Sequence, residues 1–214
     1  MKTYDVVIAT PASMLTAAYV RSLTNTIKIL EERGISWTYV NYESCYIRYA
    51  RESIISYGEA ESVSGSIPFA GFFNYKKIMW IDSDISWEPK DFLSLYYSER
   101  DIVSGAYMTV NGSIAASIDG KNLAFPKEIP TTREVELQTC GFGFLCVKNG
   151  VFENMERPWF DSEIFERDGR TMTTVGEDNS WCVKARKSGF KIWLDPKVRV
   201  VHNKTMPLIW SDTI

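Results

Sequence analysis

The sequence predicts an α/β fold built on a mostly parallel, doubly wound sheet, and three observations predict it. Short apolar runs alternate with segments of helical period from the amino terminus to Gly105. Helical segments close on glycine, at Gly34 and again at Gly189. Two carboxylates, Asp82 and Asp84, stand directly behind the apolar run Ile78-Met79-Trp80-Ile81, at the carboxyl lip of a strand where open α/β sheets bind ligands.

Val6 to Ala9 is a short apolar run ending in Thr10-Pro11, a strand that runs into a loop. Leu23, Ile27 and Leu30 share one face of a helix that Gly34 ends. Ile35 to Tyr39 alternates with period two and reads as the second strand. Ile47 to Tyr57 returns to helical spacing through Ala50 and Ile54, and Ile78 to Ile81 is the third strand. Ser86 is the expected cap of a helix through Tyr97, with Pro89 in the first turn where its missing N–H costs nothing. Asp101 to Gly105 is the fourth strand. Strand and helix in alternation argue for parallel βαβ units. The second half is more irregular. Asn111-Gly112 and Asp119-Gly120 have the composition of hairpin turns, and Arg133 to Val147 is extended around Gly141-Phe142-Gly143. Glu177 to Lys187 is a helix, and Lys191 to Val201 is a last extended stretch containing Pro196. No repeat or linker interrupts the chain, so residues 1–214 read as one domain with halves 1–105 and 106–214.

With 45% hydrophobic and 14% aromatic residues in 214, the chain has enough apolar material for a core, which excludes disorder. The net charge of −3 and the absence of any Lys/Arg block exclude a nucleic-acid polymer as partner. Cys45, Cys140, Cys146 and Cys182 show no Cys-x-x-Cys spacing and read as small core residues of a reducing, cytoplasmic compartment. Asp5 and Pro11 break the opening apolar stretch, which is too short for a signal peptide, and no run reaches the length of a membrane span. Met206 to Trp210 is read as a terminal segment docked on its own core, with a peripheral membrane contact as the alternative.

On an extended chain, alternation sends Asp82 and Asp84 to the same side and Ser83 to the other. Such a pair suits a hard divalent cation, or a diphosphate held through one; an acidic turn is the other reading. His202, the only histidine, ends the run Val198 to Val201 at another strand exit, as a structural residue or as an imidazole ligand for Mn²⁺. Glu177 and Asp178 open a helix, where acidic residues favour the dipole and where a carboxylate can also serve as general base. Gly141-Phe142-Gly143-Phe144 allows either a close ligand approach or a bulge in the core.

In order, Ile81-Asp82-Ser83-Asp84, Gly141-Phe142-Gly143-Phe144, Glu177-Asp178-Asn179-Ser180-Trp181-Cys182, Lys187-Ser188-Gly189-Phe190-Lys191-Ile192 and His202 resemble a GT-A glycosyltransferase, especially small family-2-like enzymes of bacteria and their phages. The resemblance spans nearly the whole chain and implies a Rossmann-like GT-A sheet with a nucleotide-binding first half and an acceptor-binding, metal-completing second half. It implies a UDP-sugar donor, Mn²⁺ or Mg²⁺, and a glycan or small-molecule hydroxyl as acceptor. Asp84, Asp82 and His202 form the implied metal site, with Asp82 also reaching the ribose or the metal's water shell. Thr10, Pro11, Glu43, Arg51, Ser83, Gly141, Gly143 and Lys204 border the donor, and Glu52 follows Arg51 where the family carries Asn. Asp178, with Glu177 beside it, matches the catalytic carboxylate of inverting members, with retaining chemistry on the same fold as the alternative, and Tyr107 and Trp159 are either acceptor contacts or core and rim packing. Val110 to Pro130 and Glu153 to Thr174 are the expected acceptor loops.

Two rival functions share some of these signals. A haloacid-dehalogenase-type phosphatase also has Asp-x-Asp behind a strand, but here the pair comes late and Ser86 stands in the Thr/Val position. A non-catalytic carbohydrate-binding module on a degenerate transferase fold is the other, against which the intact Asp82, Asp84, Asp178 and His202 stand.

Overall fold

The first apolar run is the centre of β1 (Thr3–Pro11), which in the computed structural model pairs in parallel with β2 (Trp37–Tyr42) and β3 (Asn74–Ile81). The structure describes residues 1–59, 66–110, 112–118, 133–162, 164–167, 171–174 and 176–204. Beyond β3 the sheet continues through β9 (Phe144–Lys148), β5 (Ile102–Ala106), β12 (Ile192–Arg199) and β7 (Val135–Leu137). The strand order is β2-β1-β3-β9-β5-β12-β7. β9 runs against both β3 and β5, and β7 runs against β12; the remaining strands point one way. The sheet is therefore mostly parallel, as predicted, and its two reversed strands come from the irregular second half. Among the described residues, three short pairs lie outside it: β4 (Ile85–Ser86) with β13 (Val201–His202), β6 (Ala116–Ser117) with β8 (Thr139–Cys140), and β10 (Ile164–Arg167) with β11 (Thr171–Thr174).

Alternate side chains of each central strand enter two separate cores, because successive residues of a strand face opposite sides. Val6 and Ile8 of β1, Met79 and Ile81 of β3 and Phe144 and Cys146 of β9 pack with Tyr19 and Leu30 of α1 (Ala17–Glu32) and with Phe92 and Leu95 of α3 (Pro89–Tyr97). Val7, Ala9, Ile78, Trp80, Leu145 and Val147 face the other way, against Ile54 and Ile55 of α2 (Ile47–Ile55) and Trp181 and Ala185 of α4 (Glu177–Lys187). Burial on both faces explains why the strands read as continuous apolar runs rather than as alternating ones. Aromatic rings dominate the second core. Trp80 meets Phe142 and Phe160 edge to face at 5.6 and 5.4 Å, and Phe142 meets Trp181 at 4.9 Å. Each such pair adds roughly 0.5–1.5 kcal/mol beyond the area it buries.

α1 begins at Thr16, whose hydroxyl accepts the Tyr19 N–H at 3.1 Å, and it gives way to Gly34 at a φ of +65°. α4 is followed in the same way by Gly189 at +91°. The cap expected at Ser86 is displaced. Trp87 N–H donates to Ser22 Oγ at 2.9 Å and its indole N–H to Thr26 Oγ1 at 2.8 Å, which holds this stretch extended against α1. α3 starts only at Pro89, and Asp91 reaches back to the Glu88 N–H at 3.0 Å. The residue before a proline avoids helical backbone, so Glu88 and not Ser86 is the boundary. Cys140, Cys146 and Cys182 are buried, whereas Cys45 is exposed between β2 and α2, against the expectation of a core residue. Of the expected hairpin turns, Gly112 has a φ of +75° between the bridged residues Met108 and Ile114; Asn111, Asp119 and Gly120 lie outside the described residues. So does the segment Met206 to Trp210. No helix among the described residues is long and apolar enough to cross a membrane.

Where β1 begins, Asp5 Oδ2 accepts from Ser36 N–H at 2.8 Å and Ser36 Oγ at 2.6 Å, and Oδ1 pairs with Lys76 Nζ at 2.7 Å. These partners, Lys76 first, hold the Asp5 carboxyl at about 2 instead of 3.8. A depressed carboxyl pKa contributes stability above the unfolded value that is lost as pH falls through the folded one. Stability of the protein should therefore fall between about pH 4 and pH 2, and denaturant titrations of Asp5→Asn across that range should show a shallower fall.

Candidate active site

The chain leaves β3 in a tight turn, not as an extended strand. The Ile85 N–H donates to the Asp82 carbonyl at 3.0 Å, so Asp82 and Asp84 do not share a side as strand alternation predicts. Their carboxylates diverge. Asp82 Oδ1 accepts from Arg51 Nη2 at 3.0 Å, while Asp84 Oδ2 takes Lys204 Nζ at 2.6 Å and lies 3.2 Å from His202 Nε2. Between them the Ser83 carbonyl accepts both the backbone N–H and the hydroxyl of Thr16 at 3.2 Å, tying the turn to the start of α1.

His202 arrives through the β4–β13 pair, which sets it opposite Ile85, the residue after Asp84. Its Nδ1 is 2.8 Å from the Met108 carbonyl, an acceptor only, so Nδ1 carries the hydrogen. That leaves Nε2, 3.2 Å from Asp84 Oδ2, as the ring nitrogen turned to the carboxylate. The imidazole stands edge to face on Tyr107, centroids 5.4 Å apart. Tyr107 is buried, and its hydroxyl accepts the Gly143 N–H at 3.0 Å. A Cβ on Gly141 would lie 2.1 Å from the Tyr107 hydroxyl oxygen, and one on Gly143 2.6 Å from its Cζ. The glycines expected at the sugar pocket thus make room for the Tyr107 ring, which in turn seats His202.

Arg51 joins the turn to α4. It rises from α2 with its side chain 4% exposed, and its two terminal nitrogens engage Asp82 Oδ1 and Glu177 Oε1. The guanidinium carbon lies 5.0 Å from the centre of the Phe142 ring. Burial works against the charge on Arg51, but Asp82, Glu177 and Asp178 together hold its pKa above the ordinary value. Burial likewise pushes the Glu177 carboxyl up, with Arg51 opposing and Asp178 adding to the shift. Asp178 is half-buried in the first turn of α4, with Oδ1 accepting the Asn179 N–H at 2.7 Å.

The other expected contacts divide. Thr10 is fully buried, its hydroxyl bonded to the Tyr19 hydroxyl, so its side chain is turned away from any ligand. Pro11 is the last residue of β1, and Glu43 is exposed just past β2. Asn41, which no sequence signal singled out, stitches this corner with its amide on the Thr10 and Ala12 carbonyls at 2.7 and 2.9 Å. Trp159, read as an acceptor contact or as core packing, is a core residue: it is 1% exposed and its indole N–H donates to the Phe152 carbonyl at 2.8 Å. Glu52, where the family pattern has Asn, is also buried. It receives the Phe160 N–H at 2.9 Å and both Nε and Nη2 of Arg157 at 3.3 Å, fixing the 157–160 segment against α2.

No protein-family model matches the chain, and no curated protein matches it by sequence. Solved structures match by shape. A197 from STIV aligns over the full length of both chains with a TM-score of 0.54 at 14% identity. The catalytic domain of Drosophila β1,4-galactosyltransferase 7, crystallised with xylobiose, aligns over 96% of this chain and 72% of its own with a TM-score of 0.52 at 13% identity. GalNAc-T7 with UDP, GalNAc and Mn²⁺ aligns over 95% of this chain and 44% of its own, with a TM-score of 0.53 at 11% identity. The chain has the GT-A fold.

Within the GT-A sheet, the residues just described gather at the carboxyl ends of the parallel strands, the edge where α/β sheets bind ligands. Among the described residues, no three His, Cys, Asp or Glu side chains stand together as a ready ligand cluster. Asp84 and His202 do stand together, and they supply one oxygen and one nitrogen donor of the kinds Mn²⁺ accepts. The Met108 carbonyl on the far nitrogen is the outer partner that a ligating histidine ordinarily has. Lys204 on Asp84 is the cation the carboxylate holds here. Asp82, expected as a second metal carboxylate, is engaged by Arg51.

Proposed function

We propose that the protein is a metal-dependent glycosyltransferase that moves a hexose from a nucleoside-diphosphate sugar, UDP the favoured nucleotide, to an acceptor hydroxyl. The observation that carries this reading is the Asp84–His202 pair, a carboxylate oxygen 3.2 Å from an imidazole nitrogen on the ligand-binding lip of a GT-A sheet. It is supported by a fold neighbour that holds UDP and Mn²⁺. Asp84 and His202 are the residues that would hold Mn²⁺ or Mg²⁺. When bound, the cation offsets the charge of the diphosphate and stabilises the departing UDP.

The diphosphate brings about two negative charges towards a protein already at −3, so cationic help is required. Lys204 supplies part of it by moving from Asp84 to a phosphate oxygen. The Pro11 loop, Ser83 and Glu43 border the nucleotide, and Thr10 contributes through its backbone because its hydroxyl is engaged inside the protein. Asp82, held by Arg51, faces the ribose. Glu177 is engaged by the same arginine, which leaves Asp178 as the carboxylate that takes the proton of the acceptor hydroxyl. That oxygen then attacks the anomeric carbon and inverts its configuration. Asp178→Asn should slow transfer by about a hundredfold or more. Steady-state turnover of the purified variant checks this, and a wild-type rate would remove Asp178 from the mechanism. Incubating the protein with a panel of sugar nucleotides and Mn²⁺ and following donor hydrolysis tests the function itself. Hydrolysis of none of them, beside cleavage of a generic phosphate ester, would favour the phosphatase alternative.

A further inference from the structure

The first turn of α2 borders a groove of about 310 Å³ that lies apart from Asp84 and His202. Its lining includes Tyr46, Arg48, Tyr49, Phe160 and Asp161, with Glu52 beneath them. Two large aromatic side chains stand beside each other in water, Tyr46 70% and Tyr49 45% exposed. Tyr49 is held edge to face against Tyr42, centroids 6.0 Å apart, so its ring face is set in advance. The floor is set too, because Glu52 fixes the backbone at Phe160 and the side chain of Arg157. At the rim, Arg48 Nη1 pairs with Asp161 Oδ1 at 3.3 Å, and the Ser162 N–H falls on that same oxygen at 2.8 Å. The pair puts an acceptor, Asp161, and a donor, Arg48, side by side at the rim.

Flat apolar rings beside a donor–acceptor pair match the two surfaces of a pyranose. Its C–H face lies on an aromatic ring, and its adjacent hydroxyls both donate and accept. Two contacts tie the groove to the helix that carries Asp178. Arg48 lies one helical turn before Arg51, which reaches Glu177, and Phe160 of the lining stacks on Trp181 of α4, ring centroids 6.5 Å apart. We infer that this groove is a carbohydrate subsite and that the acceptor is a glycan of at least two rings, one presenting its hydroxyl to Asp178 and the next resting between Tyr46, Tyr49 and Phe160. The assignment as an acceptor subsite rests on the glycosyltransferase reading; the sugar-binding chemistry of the groove stands without it.

The test is saturation-transfer NMR and titration of the whole chain with lactose, cellobiose, chitobiose, mannobiose and xylobiose, each alone, in parallel with UDP plus Mn²⁺. At least one disaccharide should bind. Tyr46→Ala/Tyr49→Ala should weaken it about tenfold or more, and Tyr46→Phe/Tyr49→Phe, which keeps the rings, should change it by less than about threefold. UDP–Mn²⁺ binding should be the same in all three proteins. Binding of no disaccharide, or equal binding in the alanine variant, overturns the subsite. Loss of UDP binding in the alanine variant with disaccharide binding intact overturns it as well, by making the groove a nucleobase site. Failure of UDP–Mn²⁺ binding in the wild-type protein is a separate result: it overturns the acceptor assignment together with the transferase reading.

Discussion

Replacing Arg51 by methionine destabilises the protein by about 3–5 kcal/mol at neutral pH, the usual cost of removing one member of a buried ionic cluster. Methionine keeps most of the volume beside Phe142, so lost packing is not the main term. What is lost is the cation between Asp82 and Glu177, whose side chains are only 30% and 15% exposed. Glu177 is already pushed above the ordinary carboxyl value by burial, and without Arg51 it moves further up. A carboxyl whose folded pKa lies above its unfolded one contributes stability at low pH that is lost as pH rises through the folded value. The Arg51→Met variant should therefore recover stability on mild acidification, whereas the wild-type protein gains much less. Adding Glu177→Gln should recover part of the loss at neutral pH. Urea midpoints of the three proteins measure all of this, and an Arg51→Met midpoint equal to wild type would contradict the clamp.

Asp84→Asn has the opposite profile: little effect on the fold and a large one on the site. The Asp84 carboxylate pairs with Lys204, which is 44% exposed, and such partly solvated pairs are worth about 1 kcal/mol or less. Its carboxylate also stands 3.2 Å from His202 Nε2, and an amide in its place has no charge to attract the cation. Manganese affinity in the presence of UDP should fall by more than the roughly 10–100-fold typical of losing an outer partner of a metal site. Calorimetric titration of MnCl₂ into protein plus UDP reads the affinity, and thermal melting reads the fold. Unaltered manganese affinity would dismiss Asp84 as a ligand.

The two residues also mark what the sequence made legible. Local periodicity located the elements. The apolar runs became β1, β3, β5 and β9, and α4 spans the Glu177 to Lys187 segment read from its acidic start and the following glycine. These features depend on neighbours a few residues away. Of the two readings of Asp82 to Asp84, extended or acidic turn, the structure takes the turn, whose shape is imposed from outside by Thr16 on the Ser83 carbonyl and by Asn203 on the Asp84 carbonyl. Arg51 was matched to the nucleotide, yet its partners are 31 and 126 residues distant, and no local pattern encodes such a cluster. One signal was present: Arg51, Glu52 and Ser53 are polar residues that follow Ala50 on a short helix, and all four are buried. A charged pair there has to find partners inside the protein. Trp159 and Thr10 share the same lesson, since neither indole nor hydroxyl announces in sequence whether it will turn inward.

The central claim is that Asp84 and His202 bind one cation in the company of a nucleoside diphosphate. The most direct measurement is pulsed electron paramagnetic resonance of Mn²⁺ added to the protein with UDP. A coordinated imidazole should appear as ¹⁴N modulation of the manganese signal in the wild-type protein and vanish in His202→Ala, with the bound manganese itself lost in Asp84→Asn. Bound manganese with no nitrogen modulation, or no manganese bound in the presence of UDP, would contradict it.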